Sequence, residues 1–306
     1  IPQLPSTEHR RMIAIRFIVF LVVLLCTNAE NAVTQEKTRF YSGPQAGEKL
    51  PSLKVVLVYG KQAGKKVDLI EQAAGRPALI VIVNGANRPA AQLTRILMNF
   101  AEMRHESLFA AVVYLDKDVS GAEQQLKRAI SWWKVAPPVG ISLDGGEGPG
   151  SYGLNRNVNL TILVANKGRV TNNFALVQPS ETDAAKILTP VVAVTGGRVP
   201  GNAEVFFLAT PTAKPANARW HTAPTDLKMR KLICDALSAE DSQSAGIKAA
   251  VLEKYVRQSR ERQVALGAVA SLFLERRGRA VLDDLPISRQ IHAWKRKYSP
   301  TDTQSR

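Results

Sequence analysis

The chain has two cysteines in 306 residues, Cys26 and Cys234, and that scarcity excludes a small fold stapled by disulfides. Histidine is nearly as rare. His9, His105, His221 and His292 are far apart in sequence and form no metal-ligand pair. Long apolar runs are also missing at the N-terminal end, where residues 17–25 make a run of nine, short of the roughly 20 needed to cross a bilayer. No internal repeat or low-complexity tract appears. Acidic residues are few, 26 against 41 basic ones, so the formal charge is +15.

The length and the 45% hydrophobic content allow a domain of about 150 residues plus a smaller one. The basic excess is spread along the chain, with local clusters at Arg276, Arg277 and Arg279 and at Lys295, Arg296 and Lys297. Such a surface attracts polyanions at long range without choosing among nucleic acid, anionic lipid and acidic polysaccharide. The plainer reading is a solvated basic face.

Positive charge from His9, Arg10, Arg11 and Arg16 precedes and flanks the start of the apolar run, and Thr27, Asn28 and Ala29 supply short side chains after it. Residues 1–29 therefore read as a secretory signal peptide cleaved after Ala29, with an uncleaved anchor as the alternative. Leu24 and Leu25 precede Cys26 where lipoprotein processing takes a small residue, so lipidation is not expected. The residues ahead of Met12 read as an upstream extension of the reading frame. Losing Arg10, Arg11, Arg16 and Glu8 leaves 38 basic and 25 acidic side chains, a net +13, with Cys234 as the one thiol. The expected location is periplasmic or extracellular.

Two continuous apolar runs, residues 78–83 and 108–116, predict strands buried on both faces, as parallel strands covered by helices are. A strand is expected within 53–59 and a return strand or short helix at 66–70. Helices are expected at 122–135, with Leu126, Ile130 and Trp133 inward, and at 181–194. A short strand at 139–143 and a hairpin of 160–165 with 170–177, joined by Asn166-Lys167-Gly168, complete the pattern. Residues 196–224 read as a Pro- and Gly-containing linker in which 205–208 docks or adds an edge strand. Residues 225–306 read as a helical module. Thr225 or Asp226 is expected to cap one helix, and Ser244 a second with Ile247, Val251, Leu252 and Tyr255 inward. An apolar helix at 264–274 and a short last one near Pro286, Ile291 and Trp294 follow.

The first apolar strand runs into Asn84-Gly85-Ala86-Asn87-Arg88-Pro89-Ala90 and then into helical spacing at Leu93, Ile96, Leu97 and Phe100. This strand-turn-helix resembles the place where a thioredoxin carries Cys-Gly-Pro-Cys, with Pro89 at the proline and Asn87 and Ala90 at the two cysteines. Residues 43–195 resemble the redoxin branch of the thioredoxin superfamily, which includes alkyl-hydroperoxide-reductase-like and extracytoplasmic thiol-oxidoreductase proteins. Gly43-Pro44-Gln45-Ala46-Gly47-Glu48-Lys49-Leu50-Pro51 resembles the redoxin opening, and residues 152–170 follow the family's Tyr-Gly-Val to Gly-Lys-Val segment. The resemblance implies an α/β fold: a thioredoxin-like mixed sheet flanked by helices over 43–195, here with a small all-α module after it.

Two departures bear on function. Active relatives set a cysteine at the helix N-terminus, where the dipole and N–H groups favour thiolate, and Asn87 supplies no such nucleophile. Relatives also place a cis-proline where this chain has Asn159, which is expected to be trans because a non-proline cis bond costs about 3 kcal/mol. Asn87, Arg88, Pro89, Ala90 and Asn159 are thus a degenerate active site and the candidate binding residues, with no catalytic residue assigned. Arg88, with the N–H groups after Pro89, suits a carboxylate, phosphate or sulfate. Asp116 and Asp118 read as strand-end and cap residues, residues 144–150 as a tight turn, and Cys234 as a buried small hydrophobe. One ring of Trp132 and Trp133 is expected in the core.

These features imply a non-catalytic exported protein that binds a protein or small anionic partner. No cofactor is implied, nucleic acid is not the expected partner, and an envelope surface stays open. The competing readings are a redoxin working through a non-cysteine or partner-supplied group, and a polyanion-binding envelope protein.

Overall fold

The computed structural model describes residues 40–58, 62–85, 87–133, 137–213 and 223–298. The signal peptide expected over 1–29 lies outside them, as do the side chains of Trp132 and Trp133. Two wholly buried strands, β3 (Ala78–Val83) and β4 (Phe109–Tyr114), form the centre of a seven-stranded sheet. Around them lie β1 (Lys54–Leu57), β2 (Lys66–Asp68), β5 (Val139–Ser142), β6 (Leu160–Asn166) and β7 (Arg169–Leu176), in the order β2-β1-β5-β4-β3-β6-β7. β3, β4 and β5 are parallel, whereas β6 runs antiparallel to β3 and β7 antiparallel to β6. The β6–β7 turn places Lys167 at φ 50° and Gly168 at φ 72°, the double left-handed conformation of a type I′ two-residue hairpin.

The crossovers from β3 to β4 and from β4 to β5 run in the same direction along the sheet. Right-handed connection therefore puts α2 (Arg88–Glu102) and α3 (Val119–Trp133) on one face. Leu79, Val81, Val112 and Ile162 from that face share a core with α2 and with Ile187 and Leu188 of α4 (Asp183–Thr195). The opposite face, with Ile80, Val113 and Leu163, is covered by Leu50, Leu53, Tyr152 and Leu69 of α1 (Leu69–Ala73). Residues 66–70 thus supply both elements anticipated for them, because Asp68 Oδ1 accepts the Ile70 N–H at 2.8 Å and starts the helix. Asp118 does the same for α3, accepting from Ser120 and Gly121 at 3.1 and 3.0 Å, so that helix begins three residues earlier than its apolar spacing suggested.

Within the segment read as a linker, residues 205–208 dock as part of a helix, α5 (Asn202–Leu208), with Phe207 and Leu208 buried. Two short strands, β8 (Thr212–Ala213) and β9 (Ala223–Pro224), pair in parallel beyond it. The helical module comprises α6 (Leu227–Leu237), α7 (Ser242–Val256), α8 (Arg260–Leu274), α9 (Arg276–Leu282) and α10 (Ser288–Tyr298). The α/β sheet with a helical module after it is the class expected from sequence.

Three details of α7 and α10 differ. The cap of α7 is Asp241, whose Oδ1 accepts the Ser244 N–H at 2.7 Å, so Ser244 lies inside the first turn. Its buried stripe is Ala245, Ala249, Leu252 and Val256, while Ile247 and Val251 are 62% and 52% exposed. Small residues face in because α7 lies close against its neighbours. Finally, Pro286 precedes α10 instead of sitting in its first turn.

Candidate functional site

The turn after β3 is held from three sides. Asn84 and Gly85 donate their backbone N–H groups to the Asn159 carbonyl at 3.0 and 3.3 Å, which sets the start of β6 directly beside the turn. A Cβ on Gly85 would lie 2.2 Å from Asn159 Oδ1, so a larger residue there would displace the Asn159 side chain. Asn84 Nδ2 donates to the Arg156 carbonyl at 3.0 Å and ties in the loop before β6. Asn159 Nδ2 donates to the Val177 carbonyl at 2.7 Å. No peptide bond among the described residues is cis, in line with the trans geometry expected at Asn159.

Asn87 is the N-cap of α2. Its backbone is extended, at φ −112° and ψ 168°, and its Oδ1 accepts the Ala90 N–H at 2.8 Å. The Asn87 carbonyl accepts the Ala91 N–H at 2.9 Å, and Pro89 has no N–H. The N–H groups after Pro89 that sequence reasoning offered to an anion are therefore occupied by Asn87 itself. Arg88 and Pro89 are exposed, and Ala90 is buried beneath them. Of the five candidate residues, the structure gathers all at one end of the sheet, with Arg88 as the exposed charge.

The order of the sheet, the turn at the C-terminal end of β3, and the antiparallel β6–β7 hairpin followed by α4 decide the architecture. The fold is thioredoxin-like. No protein-family model and no curated protein matches the chain. Solved structures that resemble it include a thiol:disulfide interchange protein DsbE from Chlorobium tepidum, 18% identical over 52% of this chain and all of that one, with a TM-score of 0.37. The peroxidoxin BcpB from Mycobacterium tuberculosis is 12% identical over 51% of this chain and 99% of that one, with a TM-score of 0.37. An uncharacterized conserved protein from Geobacillus kaustophilus is 12% identical over 54% and 87% of the two chains, with a TM-score of 0.41. Each covers about half of this chain.

Cys234, the thiol among the described residues, is remote from the turn. It is buried on α6 with its Sγ 4.0 Å from Met103 Sδ, and Met103 is the C-cap of α2. A helix of 15 residues spans ~22 Å, so the thiol and Asn87 lie at opposite ends of α2. Burial pushes the Cys234 thiol up to about 12, the reverse of what a nucleophile requires. Asp116 and Asp118 serve as backbone acceptors, and residues 145–147 form a tight 3-10 turn, as anticipated. No cluster of three or more His, Cys, Asp or Glu with metal-binding geometry occurs among the described residues. None of their helices is long and apolar enough to cross a membrane.

Sequence reasoning missed the concave sites. Cavities of about 440, 330 and 650 Å³ lie beside Phe109, beside Arg104 and along α7, and no turn residue lines any of the three. The residues around each come from distant segments, so no local signal marks them.

Proposed function

We propose that the protein is an exported, redox-inactive thioredoxin-fold protein that acts by binding, with the surface around Arg88 docking an acidic patch of a protein partner. The observation that supports this most is the role of Asn87. At the place of the first cysteine stands an amide committed to capping α2, with no thiol near it among the described residues. An amide forms neither a thiolate nor a mixed disulfide, and the one described cysteine sits at the other end of the helix.

Because the N–H groups following Pro89 are engaged, recognition at this turn falls to the guanidinium of Arg88. That chemistry suits a carboxylate on a protein surface better than an enclosed oxyanion, which needs several converging donors. Export rests on the charge and apolar pattern of residues 1–29.

Insulin reduction and peroxide consumption by the purified chain test the redox part. Wild type and Cys234→Ala are both expected to run at the rate without protein. Turnover that survives Cys234→Ala would replace this reading with an enzyme that uses another group beside Asn87, Arg88 and Asn159. For the docking part, Arg88→Glu is expected to weaken a partner identified by in vivo cross-linking at least tenfold, and unchanged affinity would place the contact elsewhere. N-terminal sequencing of the exported chain is expected to begin at Glu30.

A further inference from the structure

The C-terminal end of α2 carries a second concave site. Just past the cap residue Met103, the Arg104 guanidinium stacks 3.9 Å from the centroid of the Phe100 ring, which fixes its planar fork. It lines a cavity of about 330 Å³ together with Arg198, Lys231, Cys234 and Asp235. Gly197 closes one wall. Its φ of +95° is a left-handed conformation that favours glycine, and a Cβ there would lie 3.0 Å from Arg104 Nη2.

The charges around the cavity do not cancel. Glu204 is 5% exposed and fully committed, with Oε1 2.6 Å from Arg198 Nη2 and Oε2 accepting the Gly201 N–H at 2.9 Å. Arg198 is thereby neutralised. Neither Arg104 nor Lys231 has a carboxylate within ion-pair distance among the described residues. Burial lowers the Arg104 guanidinium from its ordinary value and the neighbouring Arg198 lowers it further, while the Glu204 and Asp235 carboxylates offset this only in part. A half-buried, stacked cation short of a counter-charge, facing a cavity, is the arrangement that holds an anion.

We infer that this cavity binds a small organic anion with one carboxylate or phosphate head, gripped by Arg104 and Lys231, and a short apolar body against Phe100 and Leu208. The volume is at the lower end of small-molecule sites, and a nucleic-acid or polysaccharide chain does not fit inside it. Asp235 on the lining disfavours a second negative group. The site is independent of the Arg88 turn, which lies at the other end of α2.

Thermal unfolding and calorimetry of the full chain with butyrate, succinate and inorganic phosphate test this, each against sodium chloride at matched ionic strength. Butyrate or phosphate is expected to raise the melting midpoint beyond the salt control and to give a saturable heat of binding. Arg104→Gln is expected to lose about tenfold or more in affinity, the scale of one charge-assisted hydrogen bond. Should that variant fail to fold, the exposed Lys231→Gln carries the same expectation. A wild-type response no larger than that of chloride, or affinity unchanged in Lys231→Gln, overturns the site.

Discussion

Arg230 on α6 and Glu102 in the last turn of α2 form an ion pair across the junction of the sheet domain and the helical module, and Arg230 is 1% exposed. It belongs to a set of polar contacts along a single stripe of α2, in which Arg230 Nη2 also donates to the Asn99 carbonyl at 3.4 Å. Arg95 Nη1 donates to the Ala209 carbonyl at 3.1 Å and Asn99 Nδ2 to the Leu208 carbonyl at 2.7 Å, so the stripe also satisfies the end of α5. An apolar junction can slide, whereas one that pairs charges and caps a neighbouring helix has a single register. Removing one partner of a buried pair leaves the other uncompensated. Arg230→Ala is therefore expected to destabilise the chain by about 3 kcal/mol, and Arg230→Met with Glu102→Met to recover much of that. Urea denaturation of the three proteins measures it.

Asn87 tests whether the turn has the geometry of a thioredoxin-like strand-turn-helix. Asn87→Ala removes the acceptor of the Ala90 N–H and is expected to cost about 1 kcal/mol, while Asn87→Asp keeps the cap and complements the helix dipole. Asn87→Cys with Ala90→Cys places two thiols around Arg88-Pro89 at the start of α2. Loss of both new thiols on oxidation, counted with a thiol reagent, is the expected result. Two thiols that stay free would mean that the turn has drifted from the thioredoxin-like geometry.

How far the sequence was legible follows from how local each signal is. β3, β4 and the turn between β3 and α2 were readable because six consecutive apolar residues and a Pro after an Asn carry their meaning without neighbours. The face of α7 was not. Large apolar side chains at Ile247 and Val251 outweighed Ala245 and Ala249 in the reading, yet close helix packing selects the alanines. α9 was missed because three arginines in its first turn look like a solvated loop. The junction stripe of Arg95, Asn99 and Glu102 looks like a surface face of α2 until α5 and α6 cover it.

Asp226 shows how the module is fastened. It caps α6 by accepting the Met229 N–H at 3.0 Å, accepts the Tyr255 hydroxyl at 2.9 Å and pairs with Arg262 Nε at 3.0 Å, while the Arg262 guanidinium lies 3.9 Å from the Tyr255 ring centroid. Burial raises the carboxyl, but the Met229, Tyr255 and Arg262 contacts outweigh it and hold the group below its ordinary 3.8. A depressed carboxyl contributes stability that is present above the unfolded value and lost as the pH falls through the folded one. Acid titration by far-UV circular dichroism should show helix loss below about pH 4 that is shallower in Asp226→Asn, which is already destabilised at neutral pH. A variant with the wild-type acid slope would remove Asp226 from the account.

Cys234 gives a test at the other end of the pH scale. Its thiol is pushed from an ordinary 9.0 up to about 12 by burial first, with Glu204 adding to the shift. The folded chain therefore holds this proton between those values while the unfolded chain releases it. Stability is full below about pH 9 and falls as the pH rises through that window. Cys234→Ala removes the group that titrates and is expected to flatten the alkaline limb of the stability curve, read by urea midpoints at successive pH values. The native thiol should also resist a thiol reagent at pH 8 and react fully once the chain is unfolded. Rapid reaction in the native state would mean that the α2–α6 junction opens far more readily than a paired Arg230 and Glu102 permit.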